Sequence, residues 1–201
     1  IVVSNVGGSV LSASLCAFSF SRMRWPGRDK IFMVILTALM MPTIVTMIPT
    51  FVMWSELGLT NSLVPLTLPI WFGGGVYNIF LFRQFFMGIP KELDEAALID
   101  GASFFTIYWR ITLPLSKSVM VVVAIFSFVK GWNEFMGPLI YLNDESKYTL
   151  SLGLQLFQGN YSAQWHLLMA AAILVLIPAI IVFFLGQKQI MEGIATTGIK
   201  G

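Results

Sequence analysis

Ten residues, Lys91 to Asp100, gather Lys91, Glu92, Asp94, Glu95 and Asp100 into a 201-residue chain that is 57% hydrophobic and only 11% charged. The chemistry such a patch offers is recognition rather than catalysis. Glu92, Asp94 and Glu95 complement the positive end of a helix dipole, and Pro90 suits the first position of that helix. Leu93, Ala96 and Ala97 recur at i, i+3 and i+4, and the two alanines leave one smooth face that another surface can approach closely. Gly101 fits a left-handed helix C-terminus. Ser103 then caps a second helix bearing Phe104, Phe105, Tyr108 and Trp109, aromatics suited to a membrane interface. Leu113-Pro114 starts the next segment. On local physics, two readings stand open: an amphipathic loop that joins two membrane spans, or a docking knob for a soluble partner.

A second set of polar residues lies inside apolar runs, where ionisable groups are costly and usually face a cavity. Lys130 and Glu134 stand four apart beside Trp132 and Asn133. Lys130 and Glu134 read as a self-neutralising i, i+4 pair, or else Asn133 and Glu134 face a polar solute. Tyr77 and Asn78, after the triple glycine Gly73 to Gly75, are the matching candidates in another span. Aromatic faces beside hydrogen-bonding side chains suit a sugar. No G-x-x-x-x-G-K-S/T loop cradles phosphate, so no ATP site of that kind is expected here. No His or Cys cluster has metal-ligand spacing. His166, the sole histidine, reads as an interfacial residue beside Trp165, and Cys16, the sole cysteine, as a small buried residue.

The elements that position these residues are membrane helices. A soluble domain carries roughly 25% charged residues, and this chain lacks the material for a charged shell. Five runs reach or approach the ~20 residues that cross a bilayer as helix. They cover about Ile1 to Phe20, Ile31 to Trp54, Leu63 to Phe86, Val119 to Leu142 and Trp165 to Leu185. The prolines and glycines inside them are tolerated in membrane helices, or mark broken helices along a pathway. Arg22, Arg24, Arg28 and Lys30, then Arg83, Lys91, Arg110 and Lys117, then Lys188 and Lys200 fall on alternate sides of these runs. That alternation puts the first loop, the acidic patch and the tail in the cytoplasm. A formal net charge of +2 argues against nucleic acid as a partner. The opening "IVVSNVGGSV" has neither a start Met nor a charged leader, so a further upstream span is expected.

The spacing Glu95-Ala96-Ala97, three residues, Gly101, nine residues, Ile111-x-Leu113-Pro114 closely resembles the EAA loop of binding-protein-dependent ABC importer permeases. "DEAALIDGAS…ITLPL" looks like the carbohydrate-uptake branch, the family of the maltose permease second subunit. "FSFSRMRWPGRDKIF", "GWNEFMGPLIYL" and the ending "GIATTGIKG" agree, so the resemblance covers essentially the whole chain. It implies an all-α polytopic transmembrane bundle, with five spans of a family six visible. Residues 1–201 would be a single permease domain, with residues 90–116 its cytoplasmic coupling loop. Carried over by position, Glu95, Ala96, Ala97, Asp100 and Gly101 would form the docking knob for a separate ATP-hydrolysing subunit. Ile111, Leu113 and Pro114 would anchor it to the following span.

The resemblance further implies a second homologous permease subunit, two ATP-binding subunits and an extracytoplasmic solute-binding protein as partners. That protein would dock near the loop of residues 143–164. ATP and Mg2+ would be used by the ATPase subunits and no cofactor by this chain, which would not itself be an enzyme. The tail glycines Gly193, Gly198 and Gly201 could let the chain fold back beneath the pore. The expected activity is import of a sugar or sugar derivative. The alternatives are another solute in the same superfamily (amino acid, peptide or polyol phosphate) and, from a different class, a secondary carrier or a membrane scaffold.

Overall fold

The computed structural model describes residues 1–157 and 165–198, and the expectations for residues 158–164 and 199–201 lie outside it. Among the described residues every regular element is a helix. In chain order these are α1 (Val2–Arg22), α2 (Arg28–Thr37), α3 (Thr43–Glu56), α4 (Val64–Thr67), α5 (Val76–Gly88), α6 (Glu92–Ile99) and α7 (Phe104–Ile107). After a π-helical turn at Tyr108–Thr112 come α8 (Leu113–Leu115), α9 (Lys117–Trp132), α10 (Met136–Tyr141), α11 (Leu150–Gly153) and α12 (Trp165–Gly198). Three segments are long and apolar enough to cross a membrane: Val2–Arg22, Val64–Gly88 and Trp165–Gln189. The number rises to five if each of two sharply bent helix pairs is one span.

α1 is the central helix. Its buried face is built from Gly8, Ser9, Ala13, Ser14 and Ala17, small residues that let neighbouring backbones close in. α5 and α9 pack against it. The tightest approach is at the triple glycine before α5, where Gly73, Gly74 and Gly75 all have positive φ (107°, 68° and 91°). A Cβ on Gly74 would lie 2.6 Å from the Ala13 nitrogen, so that position needs glycine for space as well as for backbone angle. The core gathers where α1, α5, α9 and the turn after α7 meet, around Phe18, Phe82, Phe86, Ile107, Tyr108 and Val123. α12 lies along α9, and the Trp132 indole donates to the Val175 carbonyl at 2.9 Å, one turn before Pro178.

Two expected spans differ in detail. The run from Ile31 to Trp54 is not one straight helix: Pro42 separates the α2 segment from α3, and the two are bent by 97°. Proline cannot donate a backbone hydrogen bond and restricts the residue before it, which explains the break. The run from Val119 to Leu142 stops as a helix at Trp132, and α10 follows with Pro138 inside it. Within the acidic patch the first helix begins at Glu92 with Lys91 as its N-cap, so Pro90 precedes the cap rather than opening the first turn.

Candidate coupling surface and polar cavity

α6 stops by a Schellman arrangement: the Ala102 N–H donates to the Ala97 carbonyl at 2.9 Å and the Gly101 N–H to the Leu98 carbonyl at 3.0 Å. Gly101 supplies the positive φ of 81° that this ending requires. The Ser103 hydroxyl then accepts from the Thr106 N–H at 3.2 Å and starts α7. The product is a helix, a one-residue reversal and a second short helix. Glu95, Ala96, Asp100 and Gly101 are exposed on it, whereas Ala97 is half-buried against the core. Leu93, Leu98, Phe104, Phe105 and above all Ile99, 87% exposed, make an apolar surface bordered by Glu92, Glu95 and Asp100. Trp109 is exposed beside Phe105, but Tyr108 turns inward and is 1% exposed.

The knob is held from beneath by a residue that the spacing did not single out. Arg22, the last residue of α1, places Nη1 3.0 Å from the Asp94 carboxylate. Its Nη2 donates to the carbonyls of Phe86 (2.7 Å) and Ile89 (2.8 Å) at the end of α5. One guanidinium therefore ties α1, α5 and α6 together, using the planar fork that suits several acceptors at once. Burial pushes the Asp94 carboxyl above its ordinary value, although the Arg22 charge and hydrogen bond pull the other way. On the far side, Leu113 is buried, Ile111 half-buried and Pro114 exposed. The Tyr108 hydroxyl lies 2.8 Å from Ser14 of α1 in a buried contact. The segment Phe104–Leu115 meets α9 at 79°, and at that elbow the Ser116 hydroxyl donates to the Thr112 carbonyl at 2.6 Å.

A cavity of about 430 Å³ opens near the other end of α9, lined by Asn5, Ser9, Tyr77, Asn78, Lys130 and Glu134 among others. Tyr77, Asn78 and Glu134 thus share one space. Asn133 does not line it; its side-chain amide donates to the Val129 carbonyl at 2.8 Å and finishes α9. Because the helix ends at Trp132, Lys130 and Glu134 lose the i, i+4 geometry. The described residues show no ion pair between them, and Glu134 accepts the Gly137 N–H at 2.9 Å instead. Asn5, Ser9 and Ser127 were not singled out from the sequence, since small polar residues are common in membrane helices. Asn5 Oδ1 and Ser127 Oγ are buried without a protein partner among the described residues, so the cavity offers hydrogen-bonding capacity. The rings of Tyr77 and Phe126 lie 6.5 Å apart along its wall.

At the end of the molecule where α3, α4 and α10 meet, Asn61 forms a knot. Its N–H donates to the Tyr141 carbonyl (2.7 Å), its side chain accepts the Asn143 N–H (3.1 Å), and its carbonyl accepts Lys147 Nζ (2.8 Å). This fixes the start of the loop of residues 143–164. His166 is exposed at the start of α12, and Gly193 and Gly198 lie within that helix.

The profile of the family described as binding-protein-dependent transport system inner membrane component matches residues 9–194. The sn-glycerol-3-phosphate transport system permease protein UgpE of Yersinia pestis is 37% identical over 189 residues, covering 93% of this chain and 66% of that protein. The arabinooligosaccharides transport system permease protein AraQ of Halalkalibacterium halodurans is 31% identical over 193 residues, 96% of this chain and 68% of that protein. The chain spans just under two thirds of the length of the first of these relatives. Among solved structures, a bacterial ABC transporter involved in the import of the acidic polysaccharide alginate superimposes with a TM-score of 0.80 at 25% identity. That match covers 93% of this chain and 70% of the other. The methionine ABC transporter MetNI shares the fold, with a TM-score of 0.66 at 14% identity over 96% of this chain and 94% of the other.

Proposed function

Since the chain belongs to the family of binding-protein-dependent transport system inner membrane components, we propose that it is the transmembrane permease subunit of an ATP-driven ABC importer for a sugar or sugar derivative. The observation that carries the coupling half of this reading is the exposed α6–Gly101–α7 knob, apolar at its surface and clamped to two spans by Arg22. A lever works only if it is stiff, because closure of an ATPase pair can shift the pore between two states only through a contact that differs in energy between them. Glu95, Ala96, Ala97, Asp100 and Gly101 shape the knob, and Ile111, Leu113 and Pro114 join it to α9. The partners are two ATP-binding subunits, which use ATP and Mg2+, a second homologous permease chain and an extracytoplasmic binding protein. The knob and the C-terminus face the cytoplasm of the inner membrane. The solute route passes the cavity where Tyr77, Asn78 and Glu134 meet Asn5 and Ser9. Asn133 acts there through the end of α9.

Aromatic walls beside neutral hydrogen-bonding groups suit a polyhydroxylated solute, and the relatives named for arabinooligosaccharides and alginate support that class. A polyol phosphate is the second reading. Lys130 lines the same cavity as Glu134 but makes no ion pair among the described residues, and the 37% identical relative is named for sn-glycerol 3-phosphate.

The coupling reading is tested by a disulfide crosslink in native membranes. Cys16 is changed to Ser, and a cysteine is placed at Ala96, which is exposed where Ala97 is packed. Cysteine variants of a co-expressed candidate ATPase are then scanned. A crosslink whose yield changes with ATP supports coupling through α6. With both proteins assembled in the membrane, absence of any crosslink returns α6–α7 to a connector and favours a carrier or scaffold. Uptake of labelled arabinobiose against labelled sn-glycerol 3-phosphate then separates the two solute classes.

A further inference from the structure

We propose that the turn between α1 and α2 is a binding site for the headgroup of an anionic phospholipid. A cavity of about 470 Å³ opens there, lined by Arg24, Trp25, Arg28, Asp29, Lys30 and Lys91. Asp29 is the acid that lines it among the described residues. Asp29 is paired with Arg28 at 3.1 Å and with Arg83 at 3.2 Å, and the adjoining space beneath α6 contains Asp94, which is paired with Arg22, and the exposed Glu95. The side chains of Arg24, Lys30 and Lys91 make no hydrogen bond or ion pair among the described residues, so three cations converge on one space whose lining acid, Asp29, is already held by two arginines. The ten-residue α2 starts at the same place, and its N-cap Gly27 offers no side-chain oxygen to the first-turn N–H groups. A helix start of this kind adds to the attraction for a phosphate.

The wall beside the cations decides what kind of anion fits. The first two turns of α2 carry Ile31, Met33 and Val34 on the outside, with Met33 65% and Val34 68% exposed. Trp25 is half-buried against Phe20, and its indole donates to the Ser19 hydroxyl at 3.2 Å, so it forms a fixed floor beside the cations. A free phosphate, or an acidic protein loop, would meet the cations and leave that apolar wall bare. A phospholipid meets both, with its phosphate among Arg24, Lys30 and Lys91 and its acyl chains along α2. Lys91 is also the N-cap of α6, where a positive charge opposes the helix dipole. An anion held there would relieve that conflict and brace the knob against α2.

The test uses the full-length protein in its assembled transporter, in nanodiscs of phosphatidylcholine alone or mixed equally with phosphatidylglycerol. Native mass spectrometry reads the phosphatidylglycerol that stays bound. Retention is expected to weaken about fivefold for each cation removed, so roughly a hundredfold for Arg24→Gln, Lys30→Gln and Lys91→Gln together. Lys117→Gln, outside the cavity, should retain lipid like the unaltered protein, and all variants should melt alike in pure phosphatidylcholine. If the triple variant does not assemble, the single Lys30→Gln change carries the same fivefold expectation. Equal retention by variant and unaltered protein overturns the proposal. Displacement of the lipid by millimolar inorganic phosphate would reassign the site to a soluble anion. Loss of the ATPase subunit with lipid retention unchanged would reassign it to a protein contact.

Discussion

Arg22 and Asp94 meet at 3.0 Å beneath the exposed α6, with side chains only 3% and 15% exposed. The pair is asymmetric. Arg22 also serves the Phe86 and Ile89 carbonyls, while its Nε and one Asp94 carboxylate oxygen are each buried without a partner among the described residues. Burial outweighs the guanidinium and raises the Asp94 carboxyl above its ordinary value. Removing the arginine strands a buried acid and two carbonyls, so Arg22→Ala should cost roughly 3 kcal/mol, towards the low end for breaking a buried pair. Asp94→Asn removes a carboxylate that is itself expensive to bury, and should cost only about 1 kcal/mol. Thermal unfolding of the purified variants orders the two.

The sign of the Asp94 shift adds a pH dependence. A carboxyl raised on folding binds its proton more tightly in the folded state. Its contribution is fully present below the ordinary carboxyl value near 3.9 and is lost as pH rises through the folded-state value. The stability of the unaltered protein relative to Asp94→Asn should therefore fall as pH is raised from about 4. Paired melting curves across that range check it, and a relative stability that rises with pH would mean that the Arg22 attraction wins.

Gly74 and Gly88 make a matched pair of glycine tests. A Cβ on Gly74 would meet the Ala13 nitrogen at 2.6 Å and the Ala13 Cβ at 2.7 Å, with φ at +68°. Both the backbone angle and the space oppose a side chain, and Gly74→Ala should cost roughly 2–4 kcal/mol. Gly88, at the end of α5, has nothing within 4 Å, so Gly88→Ala should be neutral within about 0.5 kcal/mol or mildly stabilising. Melting temperatures in detergent should separate the two by several degrees.

The α6–α7 turn was legible because its signals are local: Gly101 for the reversal and Ser103 for the cap. Long apolar runs marked the spans for the same reason. What escaped depends on which distant segments meet. Arg22 read as one cation among several in a basic loop, and nothing near it in sequence points to Phe86 or Asp94. The end of α9 at Trp132 was hidden because apolar residues continue to Leu142 past it, although Gly131, Asn133 and Pro138 are hints. Tyr77 and Asn78, which line the cavity, stood out beside a triple glycine, whereas Asn5 and Ser9, which line it too, look like ordinary small polar residues of a membrane helix.

Asn61 is the one non-glycine residue with positive φ among those described, at 55°. Asn61→Gly keeps that backbone angle and loses only the side-chain bond to the Asn143 N–H, an exposed bond worth roughly 0.5–1 kcal/mol. Asn61→Ala loses the bond and strains the backbone, so it should cost about 1 kcal/mol more than glycine. Limited proteolysis after Lys147 should accelerate in the same order, because the Lys147 ammonium is held by the Asn61 carbonyl.

Ser14 and Tyr108 give the last test, of how the knob is anchored to α1. The Ser14 hydroxyl donates to the Leu11 carbonyl at 3.0 Å, which commits its one proton. The 2.8 Å contact with Tyr108 is then a bond donated by the phenol. Tyr108→Phe removes the donor, leaves Ser14 satisfied through Leu11, and keeps the edge contact with the Phe18 ring. It should cost about 1 kcal/mol. Ser14→Ala instead leaves a phenol O–H buried with nothing to receive it, a loss of roughly 1–3 kcal/mol. Once the serine is gone, the phenylalanine change removes that orphan, so the double variant should be more stable than Ser14→Ala alone. Melting curves of the four proteins in the cycle measure this coupling. If the two single changes simply add, Tyr108 holds the loop by packing alone and the hydrogen bond contributes nothing to the anchor.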